Sequence, residues 1–498
     1  MLRKSSAIAL VALSFGLTLV SFGEEIVDSA SVASPSFSGS DHFIFSGAQD
    51  PNDPTSPRTN LLMNEAKLGA EYDLYSLGVS FTSRFTPDGD KSQNKAFTLE
   101  KKHLVAKTTN WEWQLGDSYQ ELGRGLALSL YRDPVFGIDT SLEGLSARYQ
   151  GSAIDATVFG GRLNYWRSPV AINPAETTLS QNEFRLAGAS LQGKLSAQTK
   201  LGGHYLFSAN RPLVSQETNR HFHTAGAVFS SEGLWEDVDV YAESNVLVTR
   251  ALGSVATEIP TGYGSYGSVV WSPTPYQLKW EVKDYRNFAY EFRRPPTLEE
   301  DLIQSVNISD VSAMRWHLER RNLETKTTLH ASYLLGSDRV VTSEVHHGVL
   351  GAKWRGPFAV DYELKGGYRT LPGKTNLTHA DAKAKIKTAK GQSLELGFRK
   401  RFSNLNLDFL PSVLDQNLFD VTYTFSERWN VGLGYEFLPR NSEENGNHFF
   451  NASVNYKTGA LVSRAFVGST SGGTMCSGGV CRAVPPYTGA LIDATVSF

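Results

Sequence analysis

From about residue 41 to the carboxyl terminus, apolar and polar side chains alternate in runs of roughly ten residues, and this period of two constrains the fold more than any other feature. In the last nine residues Ala490, Ile492, Ala494, Val496 and Phe498 share one face, while Leu491, Asp493, Thr495 and Ser497 share the other. Phe358, Val360, Tyr362, Leu364 and Tyr368 likewise oppose Asp361, Glu363, Lys365 and Arg369, and Tyr276, Leu278, Trp280 and Val282 oppose Gln277, Lys279, Glu281 and Lys283. Ala380, Ala382, Ala384 and Ile386 oppose Asp381, Lys383, Lys385 and Lys387. Helical spacing is almost absent.

Alternation alone fits two architectures. A sandwich turns its apolar faces inward to a shared core, whereas a membrane barrel turns them outward to lipid. Connection lengths separate the two, because outer-membrane barrels join strands by short turns at one rim and long loops at the other. Counting back from Phe498, short connections such as Lys457-Thr458-Gly459, Arg355-Gly356, Arg321-Asn322 and Asp73 to Tyr75 alternate with long ones such as 469–489, 403–416, 289–310 and 167–182. The link at Gly336 to Arg339 is shorter than its place demands. The hairpins sum to about 24 strands, with a range of 20–24; the weakest is a short first strand at His42 to Gly47, and Tyr119 to Tyr131 either extends a strand or folds inward. The expected fold is all-β: a single transmembrane antiparallel β-barrel over residues 41–498, with short periplasmic turns and long extracellular loops.

Composition narrows the remainder. The chain has 498 residues, 40% of them hydrophobic, with 44 glycines, 20 prolines and two cysteines, proportions that exclude collagen, a disulfide-stapled miniprotein and a disordered polyampholyte. Arg3 and Lys4, the apolar run Ala7 to Val20 and Ser21-Phe22-Gly23 read as an export signal over residues 1–23, and 24–40 as a flexible lead-in. Removing that signal takes the net charge from −3 to −5, because it holds two bases and no acids; a nucleic-acid partner is not expected. No later apolar run is long enough to cross a bilayer as a helix. A plug domain ahead of the barrel is not expected, since the stretch before the first strands is short.

Three local features carry specific expectations. Phe498, ending an alternating strand, resembles the recognition sequence by which bacterial outer-membrane proteins are delivered to their assembly machinery, and is expected to serve as such a signal. In Gly116-Asp117-Ser118-Tyr119 and Leu122-Gly123-Arg124-Gly125-Leu126, an arginine sits between glycines within a β-patterned stretch. Its guanidinium could reach carboxylates such as Asp117 or Glu121, making either a constriction of the lumen or a bulged rim. Cys476 and Cys481, five positions apart around a glycine turn, are expected to form a structural disulfide. Aromatic residues near strand ends, including Trp111, Trp113, Tyr165, Trp166, Trp271, Trp429, Tyr435 and Phe437, suggest interfacial girdles.

The GD-x-Y-x-x-LGRGL stretch at 116–126 and the CSGGVCR loop at 476–482 resemble an uncharacterised family of Gram-negative outer-membrane β-barrel proteins, from about residue 60 to the end. The resemblance implies fold and location and carries no activity.

Catalytic constellations are not evident. His346 and His347 are adjacent, so on a strand they face opposite ways and cannot share a metal. No nucleophile elbow, zinc helix motif or phosphate loop occurs. No enzyme activity, metal or cofactor is expected. The leading functional expectation is a porin-like channel in the outer membrane for ions or small polar solutes, lined by Lys279, Glu281, Lys283, Asp361, Glu363, Lys365, Lys383, Lys385, Glu395 and Arg399. The alternative is a platform for envelope proteins acting through long loops, notably 289–310 with Arg293, Arg294, Pro295 and Pro296. The lipid bilayer is the obligatory partner in both.

Overall fold

A computed structural model describes residues 34–49, 59–85, 95–133, 138–167, 182–212, 219–252, 261–288, 310–339, 343–371, 375–388, 391–403, 414–439, 447–471 and 487–498, with short pieces at 292–294, 296, 298, 473–477 and 480–484. The export signal, residues 1–23, lies outside the described residues.

The alternating runs become 24 antiparallel strands that close on themselves. They are β1 (Ser36–Gln49), β2 (Thr59–Tyr72), β3 (Tyr75–Phe85), β4 (Lys95–Lys107), β5 (Trp111–Ser118), β6 (Ile138–Gln150), β7 (Ile154–Arg167), β8 (Asn182–Lys194), β9 (Thr199–Pro212), β10 (Asn219–Ser231), β11 (Val238–Leu252) and β12 (Gly262–Trp271). There follow β13 (Tyr276–Arg286), β14 (Val311–Asn322), β15 (Thr327–Asp338), β16 (Ser343–Arg355), β17 (Val360–Leu371), β18 (Thr375–Lys387), β19 (Ser393–Ser403), β20 (Leu414–Thr424), β21 (Trp429–Leu438), β22 (Asn447–Lys457), β23 (Leu461–Thr470) and β24 (Tyr487–Ser497). Each strand pairs with its sequence neighbours, and β24 closes the cylinder on β1, with Ser40 opposite Ser497 and Gln49 opposite Thr488. Closure leaves no unpaired edge, which is the condition for a sheet in hydrocarbon.

Strand β1 corrects one boundary. It begins at Ser36, within the segment expected to be a flexible lead-in, because thirteen register pairs with β2 from Ser36–Glu71 to Ala48–Thr59 hold it in the sheet. Phe498 extends the closure, exchanging backbone hydrogen bonds with Gly39 at 2.7 and 2.9 Å.

The outer face is apolar and exposed along the strands, as at Leu77, Leu115, Val158, Leu191, Leu350, Leu433, Phe450 and Ile492. Aromatic pairs gather by the short turns of the rim where β1 begins and β24 ends, hereafter the terminal rim: Trp111 with Trp113 (ring centroids 5.3 Å apart), Trp354 with Tyr362 (5.2 Å) and Trp429 with Tyr456 (4.3 Å). Toward the opposite rim, outward tyrosines hydrogen-bond to histidines on the next strand, Tyr205 to His223 (2.7 Å), Tyr333 to His346 (2.9 Å) and Tyr435 to His448 (2.9 Å). The side chains of Tyr165 and Trp166 lie outside the described residues.

Candidate functional site

Between β5 and β6 the chain does not pass over the rim but enters the cylinder. Gly116, at φ 98°, starts the departure where a Cβ would stand 2.1 Å from the carbonyl oxygen of Lys102. Glu121–Leu122 then pairs with Leu128–Ser129 to make a small hairpin whose tip is Gly123 to Ala127. Leu122, Leu126, Leu128 and Leu130 are at most 3% exposed, so the hairpin is held by burial. Each such leucine contributes about 1.5–3 kcal/mol.

Their partners are inward-facing apolar residues of β6 to β16, among them Leu142, Phe159, Phe184, Leu206, Leu247, Tyr266 and Leu334. Phe288, Phe292 and Leu298, from the segment after β13, complete this interior core. The backbone N–H of Ser129 donates to the Phe292 carbonyl and that of Arg294 to the Gly125 carbonyl, both at 2.8 Å. The described part of 289–310 is therefore packed inside, which corrects the expectation that its arginines reach an external partner. Arg293 is buried over the ring of Phe288, 5.0 Å from its centroid, and Arg294 lies 4.5 Å from the centre of Tyr131. Burial pushes the Arg293 guanidinium down to about 10, still protonated at neutral pH. Pro295 lies outside the described residues.

Two buried carboxylates fasten the inward segment to two widely separated strands. On β11, Glu243 accepts hydrogen bonds from the Arg124 backbone N–H (2.9 Å), the Tyr241 hydroxyl (2.7 Å) and the Asn245 amide (2.9 Å). Gly123, at φ 65°, permits that approach, since a Cβ there would fall 2.1 Å from a Glu243 carboxylate oxygen. The Arg124 guanidinium stacks 3.9 Å from the Tyr241 ring centre and donates to the Ser268 hydroxyl at 3.3 Å. On β2, Glu65 takes Arg132 at 2.5 Å and Lys67 at 3.3 Å, and lies 3.8 Å from His42. His42 reaches Asp493 of β24 at 2.8 Å, tying the segment to the seam where the barrel closes.

Of the expected constriction group, Arg124 stands in the lumen but turns to Glu243, Tyr241 and Ser268 instead of Asp117 or Glu121. Asp117 is buried between strands, accepting from the Lys102 backbone N–H and the Ser141 hydroxyl, both at 2.9 Å. Glu121 is at the hairpin base, opposite Ser129.

The expected pore lining divides in two. Glu281 and Lys283 are 2% and 7% exposed and do not face open water; Glu281 accepts from Tyr266 at 2.7 Å and pairs with Lys279 and Arg315. The β17–β19 residues share the inward register. There Asp361 meets Arg355 (3.1 Å) and Lys387 (3.0 Å), Glu363 meets Lys353 (3.1 Å), Glu395 meets Lys385 (3.4 Å) and Arg399 meets Asp381 (2.8 Å). Lys365 and Lys383 lie on the same inward faces, opposite Asp381 and Glu363. The backbone sets Cys476 opposite Cys481 in the hairpin Gly473–Ser477/Val480–Val484, and their side chains lie outside the described residues.

One pair escaped the sequence reading. His347 of β16 and His379 of β18, both 2% exposed, approach to 3.1 Å between Nε2 atoms across Gly367 of β17, where a Cβ would stand 2.2 Å from His379 Nε2. A signal was present: inward histidines on next-but-one strands with glycine at the intervening position. Among the described residues no group of three or more His, Cys, Asp or Glu side chains could hold a metal ion.

A family of unknown function, DUF6029, matches residues 375–498, which begin at the first residue of β18 and run through β24. No curated protein matches the sequence. Among solved structures, a chain of the E. coli P pilus tip assembly intermediate PapC-PapD-PapK-PapG is similar at 10% identity and a TM-score of 0.51, over 95% of this chain and 63% of that one. The translocation pore of the P pilus usher PapC gives 10% identity and 0.49 over 92% and 99%. The siderophore receptor PirA from Acinetobacter baumannii gives 9% and 0.48 over 94% and 81%. The chain is a 24-stranded antiparallel barrel, similar in fold to the first of these, with an interior core to which two of its own inter-strand segments contribute.

Proposed function

We propose that this protein is an outer-membrane channel for small polar solutes whose conducting path is set by the interior segment 119–133. The observation that carries the reading is the asymmetry of the lumen. The apolar fill packs against β6 to β16, while the inward faces of β17 to β19 carry both acids and bases. A wet, charged wall inside a closed apolar cylinder is what ion and solute passage requires. Fastening the segment by buried carboxylates at both ends, and not by a covalent link, makes its docking reversible.

Planar bilayers test this with purified full-length protein. Conductance is expected, with Arg124→Ala altering it more than Lys457→Ala at the terminal rim. A wild-type protein that inserts but passes no current, together with Glu243→Ala that also passes none, would reject the channel.

A further inference from the structure

The charged wall of the lumen is unbalanced in sign. β18 presents Lys383, Lys385 and Lys387 inward and β19 Arg399 and Arg401, while β16 adds Lys353 and Arg355 and β17 adds Lys365 and Arg369. Against these nine bases the same four inward faces hold four acids, Asp361, Glu363, Asp381 and Glu395. The wall therefore carries five positive charges in excess, in a chain whose formal net charge is −3. That excess is the same however the side chains pair among themselves. The next strand, β20, brings one inward acid opposite Gly397, Asp420, and lowers the excess to four over five strands.

These bases meet open water. Lys353, Lys385, Lys387 and Arg399 keep 55%, 44%, 51% and 42% of their side-chain surface exposed even within their ion pairs, against 3% for Glu281 on the filled side. Each of the four acids already meets a base, and Asp361 meets two. Consecutive inward side chains on one strand stand about 6.7 Å apart, and neighbouring strands about 4.8 Å. From Lys383 to Lys387 the bases thus run along roughly 13 Å of the bore, each within the ~10 Å screening length of 0.1 M salt from the next. Their fields add along the path.

A surface of one sign inside low-dielectric walls repels itself and concentrates the opposite ion. Ammonium and guanidinium groups both suit oxyanions, the first as point charges and the second through paired hydrogen bonds. We infer that the bore selects small anions, carboxylates and phosphate among them, through the positive excess of β16 to β19. The inference rests on the channel reading above and adds to it the sign of the solute.

The test measures reversal potentials of the full chain in planar bilayers under a tenfold gradient of potassium chloride. Near 0.1 M salt, wild type is expected to pass chloride roughly tenfold more readily than potassium, the low end of counter-ion enrichment in a cleft of one sign. The preference should shrink toward 1 M, where the screening length falls to about 3 Å. Lys383→Glu/Lys385→Glu/Lys387→Glu takes the excess from five to minus one and should bring the ratio near unity. The milder Lys383→Gln/Lys387→Gln leaves an excess of three and should fall between the two. Arg428→Glu, at a terminal-rim turn outside the bore, should keep the wild-type ratio. A wild-type channel that conducts with no preference, or prefers potassium, overturns the anion inference and leaves the channel reading standing. Chloride preference unchanged in both lysine variants overturns the assignment to this wall. No current from wild type or from Glu243→Ala removes the channel reading and the inference with it.

Discussion

Gly123→Ala isolates the fastening of the interior segment from the integrity of the barrel. The substitution puts a Cβ where φ is 65° and 2.1 Å from a Glu243 carboxylate oxygen, so it pays twice. The left-handed backbone costs a non-glycine residue about 1–2 kcal/mol. Displacing Glu243 from the Arg124 N–H forfeits a hydrogen bond to a charged group, about 1.5–3 kcal/mol. The sum, about 2.5–5 kcal/mol, is below the roughly 6–12 kcal/mol that burial of Leu122, Leu126, Leu128 and Leu130 supplies. The segment should stay docked and open more often. At 1.4 kcal/mol per decade, amides of residues 122–130 should exchange roughly 10² to several times 10³ faster, with β17 to β20 unchanged. Exchange mass spectrometry in detergent reads this directly. Gly391→Ala is the matched control: its φ of 77° carries the backbone cost, and nothing stands within 4 Å of the added Cβ. Unaltered exchange at 122–130, or equal acceleration in every strand, would refute the reasoning.

Three further outcomes follow from the geometry. Leu433→Arg, on an exposed outward position, should cost about 2–4 kcal/mol in bilayer-embedded unfolding, whereas Lys383→Ala on an inward face should cost little; equal costs would contradict the assignment of faces. Gly367→Ala drives a Cβ to 2.2 Å from His379 Nε2 and should separate His347 from His379, lowering the unfolding temperature more than Gly391→Ala does. Cys476 and Cys481 are expected to resist alkylation until reduced, and their joint replacement by serine should remove about 2 kcal/mol of loop constraint while leaving the strands paired; alkylation without reductant would refute the disulfide.

How much of this was legible in the sequence depends on whether a feature is local. Strand existence, face and number are local properties, since the period of two and the spacing of turns act within ten or twenty residues. The alternation at Tyr276–Val282 and the loop lengths therefore led to the observed cylinder. The start of β1 was missed because Ser36 to Ser40 has weak strand character of its own and is ordered by β2 and β24. The lining at Glu281 and Lys283 was read as wet because parity tells inward from outward but cannot tell open lumen from one filled by another segment.

What the chain encodes by itself is a closed cylinder with its apolar side chains outward, because pleat and turn repeat along the sequence with no reference to distant residues. What only the tertiary structure decided is which residues from distant parts of the chain meet inside the barrel: Arg124 with Glu243, Arg132 with Glu65 and His347 with His379. Those meetings depend on the register and closure of many strands at once, and no run of neighbouring residues records them.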